Sequence, residues 1–163
     1  MKPDGSFIYI SVGKQTLTVI EKNKNRRCYS VSTARNGPGE LLGSECTPLG
    51  LHFITEMFGQ RCAEGTVFVG RKPTGEVSSA EMLKLFPDRD WIVTRIMWLS
   101  GLEPGRNLDG EVDTKARHIY IHGTPHEGLL GRPGSKGCIQ MGNRDIIELF
   151  NIVSVGTKVM IEE

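Results

Sequence analysis

Cys138 and His122 have the types and the spacing for nucleophilic catalysis. Cys138 lies in Ser135-Lys136-Gly137-Cys138-Ile139-Gln140-Met141, sixteen residues after His122 in Ile121-His122-Gly123-Thr124. A thiol following a Ser-x-Gly turn and an imidazole ending an apolar run suit a sulfur nucleophile with a histidine base. An imidazolium close by would lower the thiol pKa and make thiolate available. The histidine precedes the cysteine, the reverse of papain-like enzymes, and no caspase-type signature surrounds the cysteine. The backbone N–H groups of Gly137 and Cys138 could hold a developing oxyanion.

Other constellations are weaker. His118, His122 and His126 recur every four residues. That spacing makes a metal site on a helix, but Gly123 and Pro125 would break one. On a strand the three would share a face, so a metal stays open as the lesser reading, although no cofactor is expected. Ser135 lacks the flanking glycines of a nucleophile elbow, because Pro133 stands where one is needed. It reads instead as a hydroxyl bonding the turn or a substrate. Arg132, Lys136 and Gln140 together could receive a carboxylate. Trp98 is expected in the core rather than on a cleft wall.

The two segments together resemble the YkuD-like L,D-transpeptidase family, whose signature is His-Gly-Thr, a similar gap, then Ser-His-Gly-Cys and an Arg or Asn. Further landmarks are Gln15-Thr16-Leu17-Thr18-Val19, Thr47-Pro48-Leu49-Gly50, Gly101 to Asn107, Asn143-Arg144-Asp145 and Gly156-Thr157-Lys158-Val159. Lys136 stands where the family most often has His, and Gln140 where it often has Arg or Asn. The resemblance implies that the carbonyl of Gly123 orients His122. It implies substrate binding by Ser135, Lys136, Gln140 and Arg132. It also implies cysteine acyl-enzyme chemistry on the bond between the diamino acid and D-Ala of a peptidoglycan stem. Water would resolve the thioester in an L,D-carboxypeptidase, and an amine in an L,D-transpeptidase. The implied partners are stem peptides or muropeptides, with β-lactams such as carbapenems as covalent inhibitors. A non-catalytic peptidoglycan-binding domain is the rival class, against which the intact Cys138 and His122 argue.

The elements that must position these residues read mostly as strands. Runs at Phe7–Val12, Thr16–Ile20, Cys28–Ser32, Leu51–Thr55, Thr66–Val69, Trp91–Leu99 and His118–His122 are rich in β-branched and aromatic residues, with turn residues between them. Two helices are expected. One spans Ser78 to Phe86. The other spans Asn143 to Ser154, with Asn143 as N-cap and Ile146, Ile147, Leu149, Phe150 and Val153 as its apolar stripe. The fold class is mainly β, a sandwich or barrel with one or two short helices. Residues 1–163 form a single domain of this kind, and loops 35–44 and 101–113 are its expected mobile parts.

A net charge of +1 gives no strong field for nucleic acid or an anionic membrane. No apolar run reaches membrane-spanning length. The start, Met1-Lys2-Pro3-Asp4-Gly5-Ser6-Phe7, lacks a leader pattern, so the expectation is cytoplasmic, or periplasmic if a leader was removed. Four cysteines with no CxxC leave three beside Cys138, an odd number that favours a reducing compartment.

Overall fold

A computed structural model describes residues 5–163. Met1 to Asp4, part of the stretch inspected for a leader, lie outside the described residues. The chain forms β1 (Phe7–Ser11), β2 (Thr16–Ile20), β3 (Arg26–Ser32), β4 (Gly50–Phe58), β5 (Thr66–Val69), β6 (Lys72–Val77), α1 (Ala80–Leu85), β7 (Val93–Gly101), β8 (Tyr120–Gly123), β9 (Ile139–Met141), α2 (Asn143–Ile152) and β10 (Lys158–Glu162). One sheet runs β4-β10-β1-β2-β3-β9-β8-β7-β5-β6, and a further pairing of β4 with β7 closes its first eight strands into a ring. The fold is therefore mainly β and barrel-like, with two α-helices.

Alternation in the sequence builds the interior. Ile8 and Ile10, Leu17 and Val19, and Val159 and Ile161 stand two residues apart, face one side of their strands and are fully buried. Met97 and Leu99 of β7, Ile121 of β8 and Ile139 of β9 join the same core, as do Ile146 and Leu149 of α2. Each such side chain contributes roughly 1.5–3 kcal/mol by leaving water.

The alternate residues of β7 and β8 form a second, outer cluster. Ile96 and Tyr120 pack there with Phe68, and Trp98 and Cys138 pack against them. Trp98 is only partly buried, so it walls the cysteine rather than filling the barrel core as expected. Its neighbours Met97 and Leu99 take the inward face, and a period of two leaves Trp98 outside.

Helix α2 corrects a second expectation. The N-cap is Gly142, not Asn143, and its cap has no side-chain hydrogen bond. Asn143 turns its side chain inward instead. It accepts from Thr94 Oγ1 at 2.6 Å and donates to Thr124 O at 3.0 Å and Glu127 Oε1 at 2.7 Å. Glu127 also accepts the Asn143 backbone N–H at 2.9 Å, so a distant carboxylate caps the helix.

The two loops expected to be mobile are fastened by buried or half-buried polar groups. Arg117 donates to Gly39 O, Glu40 O, Ser44 Oγ and Cys46 O. Asn107, fully buried, donates to Leu49 O and Leu51 O and accepts from Glu103 N–H.

Candidate active site

Strands β8 and β9 are parallel neighbours, with Ile121 opposite Ile139 and His122 opposite Gln140. Parallel strands need a crossover. Here residues 124–138 supply it, and Cys138 ends it. With Ile121 and Ile139 facing the core, the opposite face carries Tyr120 and His122 on one strand and Cys138 and Gln140 at the other. The register thus brings the two chemistry-bearing residues to one outer face of the barrel wall.

His122 is 1% exposed, and its Nδ1 lies 2.7 Å from Gly123 O. A carbonyl can only accept, so Nδ1 carries the proton and Nε2 is left as the base. Gly123 has no room for a side chain: a Cβ would sit 2.6 Å from both Asn143 Oδ1 and Val93 O. Thr94, beside it in the β7 bulge, has φ of 75° and donates its hydroxyl to Asn143. A left-handed β-branched residue is strained, and it packs against Gly123, whose carbonyl orients the histidine.

Cys138 is half-buried. Its sulfur accepts the Tyr120 N–H at 3.3 Å and donates to His118 O at 3.4 Å. Burial pushes the thiol up to about 12, opposed by the Tyr120 N–H and by the charge of Arg117, while Asp90 adds to the rise. Burial also lowers the His122 pKa, against the Gly123 hydrogen bond and the field of Asp90. Both directions favour a neutral thiol beside a neutral imidazole at rest, rather than the thiolate and imidazolium expected from the residue types.

Polar contacts from distant parts of the chain hold the cysteine loop. Thr47 Oγ1 accepts from Ala34 N–H and donates to Gly137 O, both at 2.9 Å. Ser135, 5% exposed, donates to Cys138 O at 2.5 Å and accepts the Gly137 N–H at 3.2 Å. The Ser135 hydroxyl therefore bonds the turn. Of the two amides expected as oxyanion donors, that of Gly137 is turned onto Ser135. Gly137 has φ of 129°, and a Cβ there would meet Ile119 Cδ1 at 3.0 Å, so only glycine fits.

Along the crossover and β9 lies a cleft of about 530 Å³, lined by Thr124, His126, Arg132, Ser135, Lys136 and Gln140, by Arg35, and by Pro87 to Trp91. The structure thus gathers Ser135, Lys136, Gln140 and Arg132 in one cleft, whose lining includes neither Cys138 nor His122 themselves. Sequence reasoning missed Arg35, Thr47, Asp90 and Arg117. Thr47 lies in a stretch singled out by resemblance alone, and nothing local marks the others. His118 is exposed and stacks on Trp98 with centroids 5.6 Å apart. Among the described residues, no group of three or more His, Cys, Asp or Glu side chains could hold a metal ion.

A family model for the YkuD L,D-transpeptidase catalytic domain matches residues 5–161. The Bacillus subtilis strain 168 protein YqjB, an L,D-transpeptidase by name, is 31% identical over 157 residues, covering 95% of this chain and 71% of that one. YkuD of the same organism, also named as an L,D-transpeptidase, is 51% identical over 45 residues. That match covers 28% of this chain and 27% of YkuD. Among solved structures, L,D-transpeptidase 3 from Mycobacterium tuberculosis, in complex with a faropenem-derived adduct, matches at a TM-score of 0.60 and 17% identity. The match covers 97% of this chain and 60% of that one.

Proposed function

Because this chain belongs to the YkuD L,D-transpeptidase catalytic-domain family, we propose that Cys138 is its nucleophile and His122 its general base. The bond attacked is that between the diamino acid and D-Ala of a peptidoglycan stem tetrapeptide. The observation that carries this reading is the β8–β9 register, with His122 held by Gly123 O and the sulfur touching the Tyr120 N–H. The Cys138 thiol rotates from His118 O and gives its proton to His122 Nε2 as sulfur attacks the carbonyl carbon. The carbonyl oxygen becomes an oxyanion near the Cys138 N–H, the donor of the expected pair that is not turned onto Ser135. His122 returns the proton to the departing D-Ala amine, which leaves a thioester. Water, deprotonated by His122, then releases the tripeptide acid and restores the thiol. Lys136, Arg35 and Arg132 supply cations for the terminal D-Ala carboxylate.

In this reading the protein is an L,D-carboxypeptidase that trims soluble muropeptides in the cytoplasm during cell-wall recycling. The test is mass spectrometry of a disaccharide-tetrapeptide incubated with wild type, Cys138→Ala and His122→Ala. Tripeptide and free D-Ala from wild type, lost in Cys138→Ala, support it. Cross-linked dimer as the main product, or native protein found outside the cytoplasmic membrane, would move the reading to an exported transpeptidase. A carbapenem is expected to add to Cys138, and an adduct that persists in Cys138→Ala would remove the nucleophile assignment.

A further inference from the structure

Asp90 is an exposed carboxylate at the cleft. It sits between Arg89 and Trp91 on the segment that leads from α1 into β7, and it lines the cleft opened by Ser135, Lys136 and Gln140. It makes no hydrogen bond or ion pair among the described residues, and neither does Asp88. Arg89 is engaged with Glu76 at 3.1 Å and lies over the Trp91 ring at 4.6 Å. Its charge is therefore turned to other partners, and Asp90 keeps a free carboxylate. Trp91, 3% exposed and also lining the cleft, has an indole N–H with no partner. The charge of Asp90 acts on both His122 and Cys138, although it is hydrogen-bonded to neither.

A carboxylate at that place does not help the sulfur, because negative charge disfavours thiolate. A cation from the substrate would remove this disadvantage. The cleft also carries Arg35, Arg132 and Lys136, so it presents both signs of charge within one cavity. Such a surface suits a group bearing both a carboxylate and an amine.

We propose that Asp90 is a specificity-determining residue that receives a primary ammonium group of the stem peptide as Cys138 is acylated or deacylated. The inference rests on the acyl-enzyme reading above. Two sources supply this chemistry: the side-chain amine of the donor's diamino acid, and the amine of an incoming acceptor.

The experiment compares wild type with Asp90→Asn on three reactions: D-Ala release from a tetrapeptide with a free side-chain amine, the same release with that amine acetylated, and Cys138 acylation by a β-lactam that carries no amine. A fourth measurement follows how the thioester divides between water and an added amine acceptor. Wild type is expected to prefer the free amine by about tenfold in kcat/KM, the scale of one charge-assisted hydrogen bond. Asp90→Asn is expected to erase that preference without slowing β-lactam acylation, which identifies the donor's amine. A variant that keeps the preference but shifts product from amine to water identifies the acceptor's amine. Equal slowing of all three reactions would overturn the proposal, since Asp90 would then act only through the catalytic pair. No change in any measurement would overturn it too. If wild type releases no D-Ala and forms no β-lactam adduct, the acyl-enzyme reading itself fails.

Discussion

Replacing Thr47 with valine removes one hydroxyl and almost no volume. Thr47 is fully buried, and its Oγ1 serves two backbone groups, the N–H of Ala34 and the carbonyl of Gly137. The isosteric change leaves both unpaired in a place water does not reach. Each orphaned group costs about 1–3 kcal/mol, so the expected loss is roughly 2–4 kcal/mol if the loop relaxes in part. For a domain of this size that lowers Tm by about 5–15 °C. The carbonyl released belongs to the residue before the nucleophile, so activity is expected to fall further than stability. A small displacement of a reacting group can cost on the order of a hundredfold. Urea denaturation measures the first effect, with an unchanged m-value as the check that only the native state has altered. D-Ala release at a temperature where both proteins are folded measures the second. Thr47→Ser keeps the hydroxyl and is expected to recover most of both. A Thr47→Val variant within about 0.5 kcal/mol of wild type and fully active would show that the strut from residue 34 to residue 137 does not hold the cysteine.

Because burial raises the Cys138 thiol, iodoacetamide is expected to alkylate it more slowly at pH 7–8 than the exposed Cys28, with the rate still climbing above pH 9. Peptide mapping of alkylation against pH checks this, and a fast, flat profile at neutral pH would mean a preformed thiolate. His52, fully exposed only on unfolding, has its pKa lowered to about 4 by burial. From about pH 6.5 down to 4 the unfolded chain takes up that proton and the folded one does not, so stability falls with acid by up to about 3 kcal/mol, then levels. Denaturation at stepped pH is expected to show a shallower fall in His52→Gln. Lys136→Ala is expected to weaken tetrapeptide use by roughly tenfold while changing carbapenem acylation little, as steady-state kinetics against intact-mass rates would show.

Most of the barrel strands were legible because alternation with a period of two runs through them, and Thr16–Ile20 matches β2 residue for residue, as Thr66–Val69 does β5 outside the ring. Strand β6 was not legible. Lys-Pro-Thr-Gly-Glu-Val is mostly exposed and lacks any apolar rhythm, so its pairing with β5 is set by tertiary context. Strand β9 is three residues long and hides inside the cysteine motif. At Asn143, local capping preference lost to three partners from β7 and the crossover, which no window around α2 contains. Thr47 and Arg117 act on residues 71 to 90 positions away along the chain, and spacing carries no trace of such pairs.

The ring formed by β4 with β7 has a consequence for how this molecule meets copies of itself. Closing eight strands leaves the β5–β6 hairpin as the place where the sheet ends. An open strand is a template for another chain, and here it carries Pro73, which has no N–H to offer, along with Lys72, Gly75 and Glu76. The exposed Val69 and Val77 on the same hairpin would otherwise favour edge-to-edge association. Replacing Pro73 and Lys72 by β-branched apolar residues would therefore turn a protected edge into an aggregation site.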